Sequence, residues 1–379
     1  MIERVAETSN TGTLAERHLE TPAADDLVLE PFLHFGPDAI YNTLTEQTIT
    51  SDAAAYRELG GLRQGQARIA DLTPERRAEL FDRGWLVKSG SDLAGRFRLK
   101  YVSLEASTVC NQGCYFCPVS IDRREDHHMS MEFYEEIVAQ LAAHRATIDG
   151  VSMIHYNEPT ADKRFLDQVR MLKRYGLPPA VLTNGTGLTP KRVDTILELG
   201  GLRYLSINLS TMDRERYQRD RAGDHLPLVM RNLEYLRDKE LAPTMDIAVL
   251  GCGDQVHQAD FEQIRDHFEG SKFKVHRYEV MDRAGAVPIG LHPATRHHNL
   301  CGCEQTGSRP VQWVHINPHG QCVLCCQDYH DKYVVGDLHD ETLDEILSGP
   351  RMSLMRRWVY GMEAAPEDFI CRQCIYALT

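Results

Sequence analysis

Three cysteines on one short segment have the type and spacing to hold an iron–sulfur cluster. Cys110, Cys114 and Cys117 form the pattern CxxxCxxC, and no cysteine precedes them in the chain. Thiolates spaced in this way can bind three irons of a cubane, whereas an electron-transfer [4Fe–4S] cluster takes four cysteines. The fourth iron would stay open to an outside ligand, so the motif predicts a cluster at which a small molecule binds. The alternative is a zinc site completed by His127 or His128.

The C-terminal part of the chain contains a second concentration of cysteines. Seven of them lie after residue 300, namely Cys301, Cys303, Cys322, Cys325, Cys326, Cys371 and Cys374. Disulfides do not persist in a reducing cytosol, so this clustering indicates metal ligation. The spacing of Cys371 and Cys374 would also suit zinc, and a Cys₄ zinc ribbon is therefore the alternative.

Alternating strand and helix patterns begin at residue 97 and must position the first cysteine motif. The candidate strands cover 99–105, 151–155, 180–183, 203–209, 245–250 and 273–279. The segments between them repeat apolar residues at helical spacing, as in the set Tyr134, Ile137, Val138 and Leu141. This alternation predicts an α/β fold with a parallel sheet, open or curved into a partial barrel. Chemistry in such sheets gathers at the C-terminal ends of the strands.

The chain divides by pattern into four segments. The first is polar and predicts a flexible lead-in, and the second predicts a small separate module. In that module Leu33-His34-Phe35 and Ala39-Ile40-Tyr41 flank the turn signal Gly36-Pro37-Asp38, and a helical stretch follows near residues 74–83. The predicted boundaries are 1–28 for the lead-in, 29–95 for the N-terminal module, 96–285 for the alternating domain and 286–379 for the cysteine-rich domain.

Over residues 97–285 the sequence resembles the radical S-adenosylmethionine (SAM) superfamily. In that family the CxxxCxxC cluster binds and cleaves SAM, and the resulting 5′-deoxyadenosyl radical abstracts hydrogen from a C–H bond. The resemblance implies a partial (β/α)₆ barrel. It places Phe116 against the adenine of SAM and Glu158 on its ammonium group, through a charge-assisted hydrogen bond. It also implies further SAM contacts from polar residues at the third and fourth strand ends, namely Asn184, Ser206, Asn208 and Ser210.

The match has one visible departure. The segment that contains Glu158 reads Tyr156-Asn157-Glu158-Pro159, where the family consensus is Gly-Gly-Glu-Pro. The glutamate and the proline fit, but the two residues before them do not.

The C-terminal cysteines resemble the auxiliary-cluster region called SPASM, and more closely its shortened twitch form. Gly320-x4-Cys325 followed by Cys371-x2-Cys374 carries this resemblance. The twitch form holds one [4Fe–4S] cluster, and the implied ligands here are Cys303, Cys325, Cys371 and Cys374. Two neighbours are alternatives, Cys301 in place of Cys303 and Cys326 in place of Cys325.

Cys252 stands apart from both cysteine groups. It lies between Gly251 and Gly253, just beyond the fifth predicted strand and so on the expected active face. One interpretation is a small buried residue. The other is a hydrogen-atom donor, because radical SAM epimerases return hydrogen to the substrate from a cysteine.

Composition limits the partners and the location. The 379 residues carry a net charge of −13, which argues against a nucleic-acid partner. No apolar run approaches a membrane span and no signal-peptide pattern opens the chain, so we expect a cytoplasmic protein without a membrane partner. The family resemblance implies an electron donor such as flavodoxin or ferredoxin.

Three functions fit these features. The first is an enzyme of natural product biosynthesis that acts on an aminocyclitol or sugar-like small molecule, by epimerisation through Cys252 or next by dehydrogenation; the acidic composition would suit a polyamine substrate. The second is a maturase that modifies a ribosomally made precursor peptide by epimerisation or cross-linking. The third is a non-enzymatic iron–sulfur or zinc protein, which the open CxxxCxxC site disfavours.

Overall fold

A computed structural model describes residues 22–90, 92–288, 296–304 and 309–379. Their contacts form two compact units, one of residues up to 30 together with 51–91, and one of residues 31–50 together with 92–379. The predicted module 29–95 is thus divided, because residues 31–50 belong to the larger unit. The predicted lead-in 1–28 lies outside the described residues as far as residue 21, and its last residues enter the first strand.

The helices and strands of the described residues are numbered in chain order. The strands are β1 Leu27–Leu29, β2 Leu33–Phe35, β3 Ala39–Asn42, β4 Thr48–Thr50, β5 Leu86–Lys88, β6 Tyr101–Leu104, β7 Gly150–Ser152, β8 Pro179–Thr183, β9 Tyr204–Asn208, β10 Met245–Gly251, β11 Lys274–Glu279, β12 Gly302–Cys303, β13 Trp313–Ile316, β14 Gln321–Val323, β15 Val334–Asp337 and β16 Ala377–Leu378. The helices are α1 Ala54–Arg63, α2 Pro74–Asp82, α3 Pro118–Ile121, α4 Met131–Ala142, α5 Phe165–Arg174, α6 Pro190–Glu198, α7 Arg214–Arg221, α8 Leu226–Leu236, α9 Gln255–His267, α10 Arg309–Gln312, α11 Leu343–Ser348 and α12 Pro350–Val359.

The smaller unit pairs β1 with β5 in antiparallel fashion and contains α1 and α2. The predicted helix near residues 74–83 is confirmed as α2. Thr73 caps it by accepting a hydrogen bond from the backbone N–H of Arg76, and Pro74 occupies its first turn, where a missing N–H costs nothing. Leu59, Leu80 and Trp85 are fully buried.

The larger unit contains one long mixed sheet. Among the described residues its strand order is β11-β10-β9-β8-β7-β6-β13-β14-β15. The six strands from β6 to β11 are parallel, and each matches a strand predicted from the sequence. The sheet then continues into the cysteine-rich domain, because β13 pairs in parallel with β6. The predicted α/β class with a parallel sheet is confirmed.

Amphipathic helices cover this sheet. The set Tyr134, Ile137, Val138 and Leu141 is buried along α4, as its spacing predicts, and Ser130 caps the helix. The helix α7 was not predicted, because its sequence RERYQRDR has no apolar period. It still buries Tyr217 and Arg221, and it begins at Asp213, whose carboxylate accepts a hydrogen bond from the Arg216 N–H.

The predicted hairpin at residues 33–41 is confirmed as β2 and β3, and β4 adds a third antiparallel strand. In this part of the larger unit Phe32 and Ile40 are fully buried. None of the helices in the described ranges has the length and apolar composition that crossing a bilayer requires.

Candidate functional site

A cavity of about 480 Å³ opens where strands β6 to β10 end. Eight of the residues predicted to bind the first cluster or SAM line it, namely Cys110, Cys114, Cys117, Phe116, Glu158, Asn184, Ser206 and Asn208. These residues come from four different strand ends, as a parallel sheet allows. Ser210 and Cys252 do not line the cavity. Ser210 accepts a hydrogen bond from Arg221, which does line it.

The three thiols of the CxxxCxxC loop are free and together on the cavity wall. Burial raises the pKa of Cys110 to about 12, and burial also raises the pKa of Cys114 and of Cys117. A thiolate buried in this way is stable only with positive charge beside it. The donor set therefore fits an iron cluster, which binds the thiolate form and supplies that charge.

Neither histidine of the zinc alternative lines the cavity with the three thiols. Within the described ranges, no three His, Cys, Asp or Glu side chains converge as ligands of one ion. The His127 ring packs against the His319 ring at a tilt, with centroids 4.1 Å apart, and the Nδ1 atom of His128 lies 3.9 Å from Asp162. Zinc would gather its thiolates at about 2.3 Å from a single centre, whereas a cubane spreads them over separate irons.

Glu158 presents a buried carboxylate to the cavity. Its Oε1 atom accepts hydrogen bonds from the hydroxyls of Thr160 at 2.5 Å and Thr183 at 2.6 Å, and its Oε2 atom accepts one from the backbone N–H of Asn184 at 2.7 Å. Burial raises the pKa of this carboxyl group, whereas these hydrogen bonds lower it; the effect of burial is the larger. All of these donors are neutral, and no ion pair with Glu158 forms among the described side chains. An ammonium group in the cavity would complete the site.

Asn184 extends this polar wall towards the cysteine loop. Its side-chain amide donates to the Oδ1 atom of Asn111 at 2.8 Å, and its own oxygen accepts from the Thr186 hydroxyl at 2.7 Å. Asn111 directly follows Cys110 in the sequence. The loop that would hold the cluster and the strand end that would hold SAM are therefore tied together by side chains.

Arg221 organises the opposite side of the cavity and was missed by sequence reasoning. Its guanidinium donates to Asn208 at 2.6 Å and to Ser210 at 2.7 Å, and it lies 5.1 Å from the ring centroid of Phe116. The same group is 3.7 Å from the Sγ atom of Cys114. Because α7 has no apolar period, no pattern in the sequence marks this arginine as buried.

The unusual tyrosine before Asn157 has a structural role. The backbone N–H of Tyr156 donates to Glu105 at 2.9 Å, and Arg124 also binds Glu105, through both terminal nitrogens. The Tyr156 hydroxyl donates to the backbone carbonyl of Cys326. The departure from the Gly-Gly consensus therefore adds a contact to the cysteine-rich domain.

Of the late cysteines, Cys303, Cys325, Cys371 and Cys374 do not line this cavity. Burial, and then the nearby thiols of Cys374, Cys325 and Cys303, raise the pKa of Cys371. Cys303, Cys325, Cys371 and Cys374 are the predicted auxiliary ligands. Because the other three thiols lie close enough to raise the pKa of Cys371, we propose that these four hold the auxiliary cluster. Local structure brings them together, because β12 with Cys303 pairs with β16 just after Cys374.

The other three late cysteines have different surroundings. Cys322 is fully buried in the core on β14. The backbone N–H of Cys301 bonds to Leu378. Cys326 lines the first cavity, and its thiol accepts a hydrogen bond from the guanidinium of Arg309.

Cys252 is exposed at the end of β10. Its Sγ atom lies 3.6 Å from the hydroxyl of Tyr115, which belongs to the CxxxCxxC loop. It is therefore near the rim of the site and outside the cavity wall.

Two family models match the chain. Residues 104–265 match the radical SAM superfamily, and residues 303–375 match the SPASM iron–sulfur cluster-binding domain. A SAM-dependent 2-deoxy-scyllo-inosamine dehydrogenase of Niallia circulans is 21% identical over 277 residues, which cover 72% of this chain and 91% of that protein.

Two solved structures are similar to this chain. SuiB of Streptococcus suis, bound to the precursor peptide SuiA, superposes with a TM-score of 0.56 at 11% identity and covers 88% of this chain and 89% of its own. BtrN in complex with AdoMet and 2-DOIA gives a TM-score of 0.47 at 19% identity, over 74% of this chain and 98% of its own. The two family-model matches identify this chain as a radical SAM protein with a SPASM domain, and they imply SAM, a [4Fe–4S] cluster and auxiliary iron–sulfur clusters as its cofactors.

Proposed function

We propose that this radical SAM enzyme is an oxidoreductase that dehydrogenates a small hydroxylated molecule of the cyclitol or sugar type. One observation carries the proposal. The cavity of about 480 Å³ is lined by Cys110, Cys114 and Cys117 and also by Cys326 and Arg309 of the cysteine-rich domain. A substrate held there lies between the two cluster sites.

Different residues of the chain would bind the first cluster, the auxiliary cluster and SAM. Cys110, Cys114 and Cys117 would hold the first cluster, and Cys303, Cys325, Cys371 and Cys374 the auxiliary one. When bound, SAM and its cluster supply a 5′-deoxyadenosyl radical that takes a hydrogen atom from the substrate, and the auxiliary cluster supplies an electron acceptor. Glu158, Asn184, Ser206 and Asn208 would bind and orient SAM. The enclosing wall keeps water from the reacting carbon.

The dehydrogenase of Niallia circulans supports oxidation as the outcome, since this chain matches 91% of its length. The exposed position of Cys252, outside the cavity wall, supports it as well. A thiol that returns hydrogen to the substrate would have to reach into the cavity.

The test is an anaerobic reaction with SAM and dithionite in deuterated water, with a panel of cyclitols and sugars as substrates. We expect 5′-deoxyadenosine and a product two mass units lighter than its substrate, without deuterium. A product that differs from its substrate only by one incorporated deuterium would contradict dehydrogenation. A precursor peptide stays the alternative predicted from the sequence, and adding peptides to the panel tests it.

Epimerisation is the second candidate, because Cys252 contacts Tyr115 of the cysteine loop at 3.6 Å. In this reaction Cys252 would return a solvent-exchanged hydrogen atom to the substrate carbon. The wild type would then place one deuterium at the inverted carbon. Cys252→Ala would still form 5′-deoxyadenosine but no normal product, whereas a dehydrogenase would tolerate this change.

A further inference from the structure

We propose that the substrate carries an anionic group, a carboxylate or a phosphate, which binds Arg283 and Arg309, and hydroxyl groups that bind His155 and His315. All four residues line the cavity, and none of them is a predicted SAM contact. The inference rests on the proposed function, because it names the substrate class of the same cavity.

Arg283 is held in place by a tight turn after β11. Arg283 and Ala284 both have left-handed backbone conformations, with φ of 52° and 50°, which residues other than glycine rarely adopt. The side chain of Asp282 accepts a hydrogen bond from the Ala284 N–H at 3.1 Å and so stabilises the turn. The guanidinium of Arg283 forms no ion pair with any carboxylate of the described residues. Strained backbone of this kind concentrates at ligand-binding sites.

The charge balance of the cavity favours an anion over an amine. Among the described residues that line it, Glu158 is the one carboxylate, and two hydroxyl groups and two backbone N–H groups already donate to it. The cations are Arg221, which binds Asn208, together with Arg283 and Arg309. The chain's net charge of −13 comes from residues outside the cavity lining. The charged side chains that line the cavity therefore do not suit the polyamine substrate expected from composition.

An arginine fork binds a carboxylate or a phosphate with two parallel hydrogen bonds. Arg309 also donates to the thiols of Cys325, at 3.7 Å, and Cys326, so part of its charge faces the auxiliary site. The charge of Arg283 likewise acts on the thiols of Cys117 and Cys326, so both arginines face the substrate region and the cluster sites.

The two histidines supply the polar groups for hydroxyls. Their ring centroids are 5.6 Å apart. Both ring nitrogens of His315 are buried without a hydrogen-bond partner among the described residues, and those of His155 are buried next to the backbone of Cys326. Burial lowers the pKa of His155 to about 3 and the pKa of His315 well below its ordinary value. Both rings are therefore neutral at pH 7, and each offers one donor and one acceptor. Buried nitrogens left unpaired are costly, and a polyol would pair them.

Trp313 gives the same region an apolar wall. Its ring stacks on His315 with an interplanar angle of 7° and a centroid distance of 5.5 Å, and it also lines the cavity. A ring with hydroxyls at its edge and an apolar face fits between such groups.

The experiment measures binding of four matched sugars to the reconstituted holoenzyme with SAM, by anaerobic calorimetry at constant ionic strength. The probes are glucuronate, glucose 6-phosphate, glucose and glucosamine. We expect glucuronate or glucose 6-phosphate to bind at least about tenfold more tightly than glucose, and glucosamine to bind least. Which of the two anions binds more tightly distinguishes a carboxylate from a phosphate.

Variants separate substrate binding from support of the clusters. Arg283→Gln should reduce the anionic sugar to the affinity of glucose, with iron content and SAM affinity as in the parent. His315→Phe should weaken glucose and the anionic sugar by the same factor. Arg170→Gln, at an exposed position on α5, is the matched control and should change nothing.

Two results would overturn the inference. One is that neither anionic sugar binds more tightly than glucose. The other is that Arg283→Gln keeps the parent's ranking of the four sugars, because Arg283 would then not bind the anionic group. If the parent enzyme still converts a neutral cyclitol or sugar to a product two mass units lighter, the proposed function stands and only the substrate class fails.

Discussion

The hydroxyl of Tyr156 donates a hydrogen bond to the backbone carbonyl of Cys326 and so joins the radical SAM domain to the SPASM domain. The Tyr156 ring is buried and meets the ring of Tyr329 edge-on, with centroids 4.8 Å apart. Glycine at this position, as in the family consensus, could make neither contact. The wall of the cavity between the two cluster sites therefore depends on a residue at which the motif departs from the family.

We expect Tyr156→Phe to destabilise the protein by about 1–3 kcal/mol, because the change removes the tyrosine hydroxyl's hydrogen bond to the partly buried Cys326 carbonyl. Denaturant unfolding of the anaerobic protein measures this loss. Tyr175→Phe is the matched control, since its hydroxyl bonds to the exposed Glu135 at 2.8 Å and should cost less. Equal losses in the two variants would argue against the special role of the Tyr156 hydrogen bond.

Replacing Cys110, Cys114 and Cys117 together by Ala should leave about four of about eight irons per reconstituted chain and abolish 5′-deoxyadenosine formation. Iron analysis and chromatography of the reaction measure the two effects. Cys322→Ala, which changes a core cysteine, should retain all the iron and lose only stability. A triple variant that still cleaves SAM would show that the cluster site has been misassigned.

Glu158→Gln should weaken SAM binding by about 1.5–3 kcal/mol, or roughly 10- to 150-fold, because it removes the charge that faces the ammonium group. Iron content should not change. Calorimetry with SAM checks this against Glu262→Gln, an exposed change on α9. Unchanged SAM affinity would mean that the Tyr-Asn-Glu-Pro segment does not meet SAM.

Arg221→Lys keeps the positive charge but loses the planar fork that reaches Asn208 and Ser210 together. We expect SAM affinity to fall by about tenfold, with the iron retained. Arg219→Lys, on the same helix but exposed, should behave like the parent. If both variants bind SAM equally well, Arg221 does not position the SAM contacts.

The lowered pKa of His155 makes stability depend on pH. The folded pKa of about 3 lies below the ordinary value of 6.5, so the unfolded chain binds a proton that the folded chain does not in the window between them. Stability contributed by the neutral ring is complete above pH 6.5 and is lost as the pH falls. Between pH 7.0 and pH 5.5, His155→Phe should lose about 1 kcal/mol less stability than the parent. An identical loss in both proteins would show that His155 titrates alike in the folded and unfolded chains.

Much of the fold and the core of the site could be predicted from short-range patterns. The CxxxCxxC spacing places three thiols on one loop whatever surrounds them, because the covalent chain alone limits their separation. The six parallel strands from β6 to β11 followed from apolar runs, and helices such as α4 from their 3.6-residue period. Both signals are local, and burial of one face is enough to produce them.

Contacts between distant segments were decided by the tertiary structure. Periodicity reports that a face is buried but not what it is buried against, so the pairing of β13 with β6 had no signal in the sequence. Arg221 lies on a helix without an apolar period, and only packing brings it to Phe116 and Cys114, more than a hundred residues earlier. Arg283, His155 and His315 likewise meet in one cavity because a parallel sheet brings its strand ends and the loops that follow them to one edge, however far apart they lie in the chain.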